Sequence, residues 1–505
     1  MSLAAHLPIL PIAIPALAAP VALLAMRRRR ALAVGLGFGS CLAMLITALA
    51  LMARVSDGTI LAYALGDWPA PFGIVLVADR LAAMMLVLTA SLALIALLHA
   101  VVTRADRKGW HFHPLFQFQL MGLNGAFLTG DLFNLFVFFE VLLIASYGLM
   151  LHGQGPARLK AGVQYVVVNL VGSSVFLIAL GMLYALTGTL NMADMGLRVA
   201  AVPAADQGML RIAGLLLVSV FALKAAVAPL HLWLPRTYAV STPAVAALFA
   251  IMTKVGVYAI IRVVPQVFGE GAGAAAWVPA PWLFPAALVS AGIGFAGVFV
   301  ARSLSEQAAY AVIGSTGTLL IAVAAWTPES LGAALYYLVH STLAGAALFL
   351  VADAAARRRG AFGDAASPGP AFAGRGIAAM LFMAAAIAAT GLPPLSGFIG
   401  KLLILQSVAA LPDWGWAWGV ILGTTFIGVI GFARAGSAVF WKTGEGEAPA
   451  TRSYRTDFAA PALALVLLAA LSAGAGWASA YAGAAAAQVL DPARSAAVVL
   501  AEVTP

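Results

Sequence analysis

What this chain can fold into is set first by how little of it can face water. Runs of about twenty mostly apolar residues, each long enough to cross a bilayer as a helix, follow one another from end to end. Fourteen are read, near 3–25, 31–53, 75–102, 112–129, 132–151, 162–187, 210–229, 242–264, 281–301, 307–326, 331–354, 376–407, 416–440 and 458–482. Only 9% of the 505 residues are charged and 63% are hydrophobic, where a soluble chain carries roughly a quarter charged. The expected fold is therefore an all-α polytopic membrane protein. The tight Thr129-Gly130-Asp131 turn separates the fourth and fifth runs, which as one helix would be about twice the length a bilayer needs.

Basic residues set the orientation. The net charge of +9 lies in short clusters between apolar runs, which is topology information and not a nucleic-acid footprint. With the N-terminus outside, inner loops hold Arg27 to Arg30, Arg104, Arg107, Lys108, Arg158, Lys160, Arg236, Arg302, Arg357 to Arg359, Arg375, Lys442, Arg452 and Arg455, eighteen of the 28 Lys and Arg. Both termini are then expected outside. The charges Arg27 to Arg30 follow the first apolar run, so that run reads as a retained helix and not a cleaved leader. The single cysteine, Cys41, excludes a disulfide or a cysteine metal site within the chain. No Walker loop or dinucleotide fingerprint is present, so no cofactor and no metal are expected.

Against this apolar background, four deep charges stand out. VSVFALKAAVAPLHLWLP, residues 218–235, carries Lys224 with no acid beside it, then Pro229, which removes a backbone donor and breaks or kinks the helix. A lysine near mid-membrane costs about 2.5–3.5 kcal/mol on insertion scales. A broken helix beside an ionisable group is a way to build an ion path in a membrane. Glu140 is the one deep acid and Lys224 its expected partner; an adjacent acid and base can exchange protonation states when one of them moves. The plain alternative is a static ion pair or a lysine capping the break. Lys254, flanked by Thr253, is the next candidate, and Lys401 follows a second break near Gly391 to Pro394. His231 and His340 are further relay candidates, because imidazole titrates near neutrality; each would otherwise be a packing residue.

The two interrupted runs suggest an internal repeat, with spans four to eight matching spans nine to thirteen. An odd number of spans per unit makes the second copy inverted. The second copy has no acid matching Glu140: its tenth span reads AAYAVIGSTGTLL. The chain divides on this reading into an N-terminal three-helix segment (1–110), two five-helix units (111–265 and 280–441) and a C-terminal helix and tail (456–505).

The stretches TGDLFNLFVFFEVLLIASY, FALKAAVAPLHLWLPRTYAVSTPAVAALFAIMTKVGVYAIIRV and GLPPLSGFIGKLLIL resemble the antiporter-like subunits shared by respiratory complex I and the multisubunit cation/proton antiporters, and among them the D-type group of the Mrp antiporters. The resemblance spans roughly residues 110–440. It implies fourteen helices with two inverted five-helix repeats and broken seventh and twelfth helices. It also implies a proton relay through Glu140, Lys224, Lys254 and Lys401. The expectation is a subunit of a hetero-oligomeric Na+ (monovalent cation)/H+ antiporter in a bacterial cytoplasmic membrane, a transporter and not an enzyme. Other subunits, monovalent cations, protons and the bilayer would be its partners, without nucleic acid. The alternatives are a proton-pumping arm of a complex I-type or hydrogenase complex, or a scaffold whose deep charges fix helix register.

Overall fold

A computed structural model describes residues 3–26, 29–442, 444 and 455–501. Arg27, Arg28 and Arg452, three of the residues used for orientation, lie outside the described residues. Backbone polar groups in hydrocarbon must be satisfied within the segment, and the chain is accordingly helix after helix. Among the described residues eleven helices are long and apolar enough to cross a membrane.

The N-terminal trio is α1 (Leu10–Met26), with Pro15 and Pro20 inside it, α2 (Arg30–Val55) and α3 (Arg80–Val102). Next come α4 (Phe112–Leu128), α5 (Leu132–Met150) and the long α6 (Pro156–Thr187). The tight turn between α4 and α5 is present, and Asp131 caps α5 by accepting from the Asn134 amide at 2.8 Å. A short α7 (Met192–Val199) precedes α8 (Gln207–Lys224). Then follow α9 (Leu234–Val240), α10 (Pro243–Phe249), α11 (Met252–Phe268), α12 (Ala280–Val300), α13 (Leu304–Val323) and α14 (Pro328–Ala356). The chain closes with α15 (Arg375–Thr390), α16 (Ser396–Val408), α17 (Trp414–Gly436), α18 (Ala459–Ala473), α19 (Ala475–Val489) and α20 (Pro492–Leu500).

Both expected breaks are present. The seventh apolar run stops being helical after Lys224 and resumes at Leu234; the twelfth is interrupted between Thr390 and Ser396. Proline supplies the cause in each: Pro229, and the Pro393-Pro394 pair, withhold backbone donors. The eighth run breaks as well, at Ala250–Ile251, between α10 and α11. There the Tyr238 hydroxyl donates to the Phe249 carbonyl at 2.9 Å and satisfies a group the interruption frees.

The all-α expectation needs one correction. The third run does not start as a helix at 75: β1 (Leu61–Ala64) and β2 (Val75–Ala78) form an antiparallel hairpin, Leu61 opposite Ala78 and Ala64 opposite Val75. Val75-Leu76-Val77 favours a strand, and the preceding Pro69, Pro71 and Gly73 carry the turn. Helix begins only after Asp79, whose side chain accepts from the Ala82 amide at 2.9 Å.

Burial orders the bundle. Within the span Pro243–Phe268 the most apolar window is wholly enclosed by protein, and within Pro328–Ala356 94% of it is; for α1, α2 and α18 the figure is 33%. The enclosed helices are those that carry Lys254 and His340. A charge on them is shielded from lipid by neighbouring helices, which is what lets it persist at that depth.

Candidate functional site: a buried polar line

Glu140 stands on α5 facing α6, where Ser173 and Asn169 lie one turn apart. The Ser173 hydroxyl donates to the Glu140 carboxylate, and the Asn169 main-chain carbonyl is 3.1 Å from the same hydroxyl. The Asn169 side chain has a fixed sense: its Nδ2 donates to the Tyr165 carbonyl at 2.8 Å, leaving Oδ1 to accept from Lys224 Nζ at 3.0 Å. Glu140 and Lys224 are thus joined through a serine and an asparagine. Among the described residues no ion pair within 4.0 Å connects the acid to the lysine directly. Gly172 lies between the two linking residues: a Cβ there would sit 2.6 Å from Leu223 Cδ2, the movable end of that side chain, and 3.9 Å from Lys224 Nζ.

The break after Lys224 is satisfied by other groups. Trp233 Nε1 donates to the Leu223 carbonyl at 3.1 Å, and the Ala228 amide donates to Ser290 Oγ at 2.8 Å. Lys224 is therefore not needed as a helix cap. Beside it lies a small cavity lined by Phe139, Asn169, Lys224, Trp233, Met252 and Val255, with about 10 Å³ for the centre of a water molecule, room for roughly one water. The cavity touches α5, α6, α8 and α11, so it reaches from the Glu140–Lys224 linkage to the helix of Lys254.

Lys254 is fully buried. Its Nζ lies 3.4 Å from Thr316 Oγ1 on α13, and that hydroxyl lies 3.5 Å from Thr253 Oγ1. Further along, His340 Nδ1 and Ser396 Oγ are 2.9 Å apart, which places an imidazole at the first residue after the second break. Lys401 Nζ donates to the Thr390 carbonyl at 2.7 Å and to Thr425 Oγ1 at 2.6 Å, with the Phe295 ring 5.1 Å away. The second lysine does cap its break. The two breaks are alike in form but not in how their free carbonyls are met.

His231 lies within the first break and is buried, with Nδ1 lacking a hydrogen-bond partner among the described residues. No hydrogen bond ties it to the polar line there.

Sequence reasoning passed over the linking residues. Asn169 had a signal: an asparagine inside an apolar run is a costly residue that needs a partner. Ser173, Thr316, Ser396 and Thr425 had none, since a hydroxyl in a helix is readily met by its own i−4 carbonyl, as Ser173 and Thr316 illustrate. Two buried contacts to aspartates were also missed, one of them an ion pair. His99 Nε2 meets Asp353 Oδ2 at 2.8 Å, and Arg262 grips Asp79 through Nη1 at 2.5 Å and Nη2 at 2.8 Å.

Residues 129–430 match the family model described as NADH:quinone oxidoreductase/Mrp antiporter, transmembrane. The chain is 41% identical over 482 residues to the D subunit of a probable K(+)/H(+) antiporter of Rhizobium meliloti, covering 88% of each. It is 34% identical over 499 residues to the D subunit of the Na(+)/H(+) antiporter of Bacillus subtilis, covering 98% of this chain and 99% of that one. A chain of the Mrp complex from Dietzia superposes with a TM-score of 0.88 at 29% identity, covering 99% of this chain and all of that one.

Proposed function

Since the chain belongs to the NADH:quinone oxidoreductase/Mrp antiporter family, we propose that it is the D-type membrane subunit of a multisubunit monovalent cation/proton antiporter and carries protons through its buried polar line. One observation carries the reading: an acid and a base sit inside the bundle, linked by Ser173 and Asn169, beside a cavity that reaches the helix of the next lysine. A proton taken up at Glu140 raises the charge balance near Lys224 and drives its proton onward to Lys254, through water between α8 and α11. His340 passes it toward Lys401, whose partners Thr390 and Thr425 are polar but cannot hold a second charge. His231 serves at the mouth of the first break. The cation sites belong to other subunits of the assembly, because deep carboxylates that could ligate a cation are scarce in this chain.

The same reading gives fourteen crossings, in support of which α4, α13 and the interrupted α15–α16 add three to the eleven long apolar helices. Residues 111–265 and 280–441 are the two inverted five-helix units, supported by the paired breaks; 1–110 and 456–505 flank them. Both termini lie outside the cytoplasm of a bacterial cell.

The test is Glu140→Gln, co-expressed with the partner subunits, in everted vesicles. Cation-driven collapse of a pre-formed ΔpH is expected to vanish while the complex still assembles. Full exchange by the variant would remove Glu140, and with it the relay, from the account.

A further inference from the structure

Lys254 shares its helix with two polar residues that lead toward the hairpin end of the bundle. Tyr258 is one turn on and Arg262 two turns on, about 12 Å along the axis. Arg262 lies near the end of α11, and its partner Asp79 caps the start of α3 just past β2, so the pair sits beneath the hairpin. Neither group is free. Asp79 Oδ1 accepts from Arg262 Nη2 at 2.8 Å and from the Ala82 amide at 2.9 Å, while Oδ2 takes Nη1 at 2.5 Å. Arg262 Nε donates to the Tyr258 hydroxyl at 3.1 Å, and that hydroxyl donates its own proton to the Phe127 carbonyl at 2.6 Å. Asp79, Tyr258 and Arg262 are all buried.

From Tyr258 to Asp79 the column is hydrogen-bonded throughout but cannot pass a proton. A guanidinium does not release its proton at any pH a cell meets. The tyrosine proton is committed to a main-chain carbonyl. The acid accepts from the Ala82 amide besides the two guanidinium nitrogens. A fixed cation in a polar constriction is a known means of excluding protons from an otherwise hydrated path.

We infer that Arg262, positioned by Asp79 and Tyr258, seals the first five-helix unit at its hairpin end, so that a proton on Lys254 leaves only along the line toward His340 and Lys401. Arg262 is a positioning residue: it touches no transported ion and acts by filling the column with a side chain that neither gives up nor accepts a proton. The inference rests on the proton relay proposed above.

The experiment measures decay of a respiration-generated ΔpH in everted vesicles holding the whole assembly, without Na+ or K+. Arg262→Gln is expected to lose the seal and leak faster than the native chain, and Asp79→Asn, which keeps the guanidinium, to stay tight. Either single variant strands a buried charge and can fail to assemble. The double variant D79N/R262Q strands no charge and is expected to assemble and to leak like the single. A tight double variant overturns the inference. Equal leaks from all three variants, or failure of the double variant to assemble, make the pair a packing element and overturn it too. Glu140→Gln in the same membranes reports separately on the relay: if it exchanges normally the relay is wrong, whatever the leak rates.

Discussion

Lys224 Nζ and Asn169 Oδ1 are 3.0 Å apart, and the amide's other end is anchored on the Tyr165 carbonyl. The lysine is held by a neutral acceptor whose orientation α6 dictates, with the acid one hydroxyl further away on Ser173. A neutral holder lets the lysine gain or lose charge without breaking an ion pair, whereas a direct carboxylate contact would favour one state strongly.

Replacing that holder is the sharpest test of the arrangement. Asn169→Ala removes a hydrogen bond to a charged donor, worth about 1.5–3 kcal/mol. Cation-driven exchange is expected to fall about tenfold or more, with assembly retained. Asn169→Asp is expected to be as damaging for the opposite reason, by pinning Lys224 in an ion pair. Vesicle exchange rates for the two variants check this; normal exchange by both would make the asparagine incidental.

The two breaks predict different consequences for their lysines. Trp233 already satisfies the Leu223 carbonyl, and the Asn169 Oδ1 that Lys224→Ala frees lines the small cavity, where a water can meet it, so this variant should abolish exchange at the smaller cost in thermal stability. Lys401 holds the Thr390 carbonyl itself, so Lys401→Ala leaves a buried acceptor unmet, at a cost of about 1–3 kcal/mol. Unfolding curves of the detergent-solubilised assembly should separate the two, with the Lys401 variant shifted further downward.

Much of this was legible in the sequence, for reasons particular residues make plain. Pro229 and the Pro393-Pro394 pair announce interruptions because a missing amide cannot be compensated within a helix, and both interruptions are where they were expected. The interruption at Ala250–Ile251 contains no proline or glycine. It is tied to Tyr238, a residue on another helix, and a one-dimensional pattern does not carry that contact. The second strand of the hairpin hid inside an apolar run because a buried strand and a buried helix look alike over four residues. Deep lysines could be seen as sites, since charge in hydrocarbon is conspicuous. Their partners were serines, threonines and backbone carbonyls, whose spacing says nothing until the helices are packed.

Asp106 ties the loop after α3 to both neighbouring helices, to Arg30 and to His113 at 3.1 Å. Burial pushes its carboxyl up, but the hydrogen bonds from His113 and Arg30 outweigh this and hold it below the ordinary carboxylate value of 3.8. A depressed folded-state pKa means the stabilisation is complete above the unfolded value and is lost as pH falls through the folded one. Stability from this knot is therefore expected to be flat from about pH 5 upward and to decline below about pH 4. Asp106→Ala should lower stability at neutral pH by about 1–3 kcal/mol and flatten the acid limb. A variant with an unchanged acid limb would assign the decline to other carboxylates.

Orientation can be read with thiol reagents, because the natural Cys41 is buried in α2 and gives little background. Phe72, 90% exposed in the hairpin loop, and Trp110, 68% exposed in the loop after α3, flank α3 at its opposite ends. Phe72→Cys is expected to react with an impermeant maleimide added to intact cells, and Trp110→Cys only in everted vesicles. The reverse pattern would invert the topology drawn from the basic loops.

Gly397 is the residue on which the second break and His340 both depend. A Cβ there would lie 2.2 Å from the Ala388 carbonyl and 2.8 Å from His340 Nε2. The carbonyl belongs to α15 and cannot give way without moving the helix end that Lys401 caps; the imidazole can turn only by leaving Ser396. Gly397→Ala should therefore cost about 1–3 kcal/mol, the range for overpacking a filled core. It should also suppress exchange further than the loss of His340 alone. Comparing Gly397→Ala with His340→Ala separates the two effects. If the glycine variant exchanges as well as the histidine variant, the break tolerates a side chain and only the imidazole contact matters. If it exchanges less, the geometry of α15 and α16 around Lys401 is itself part of the path.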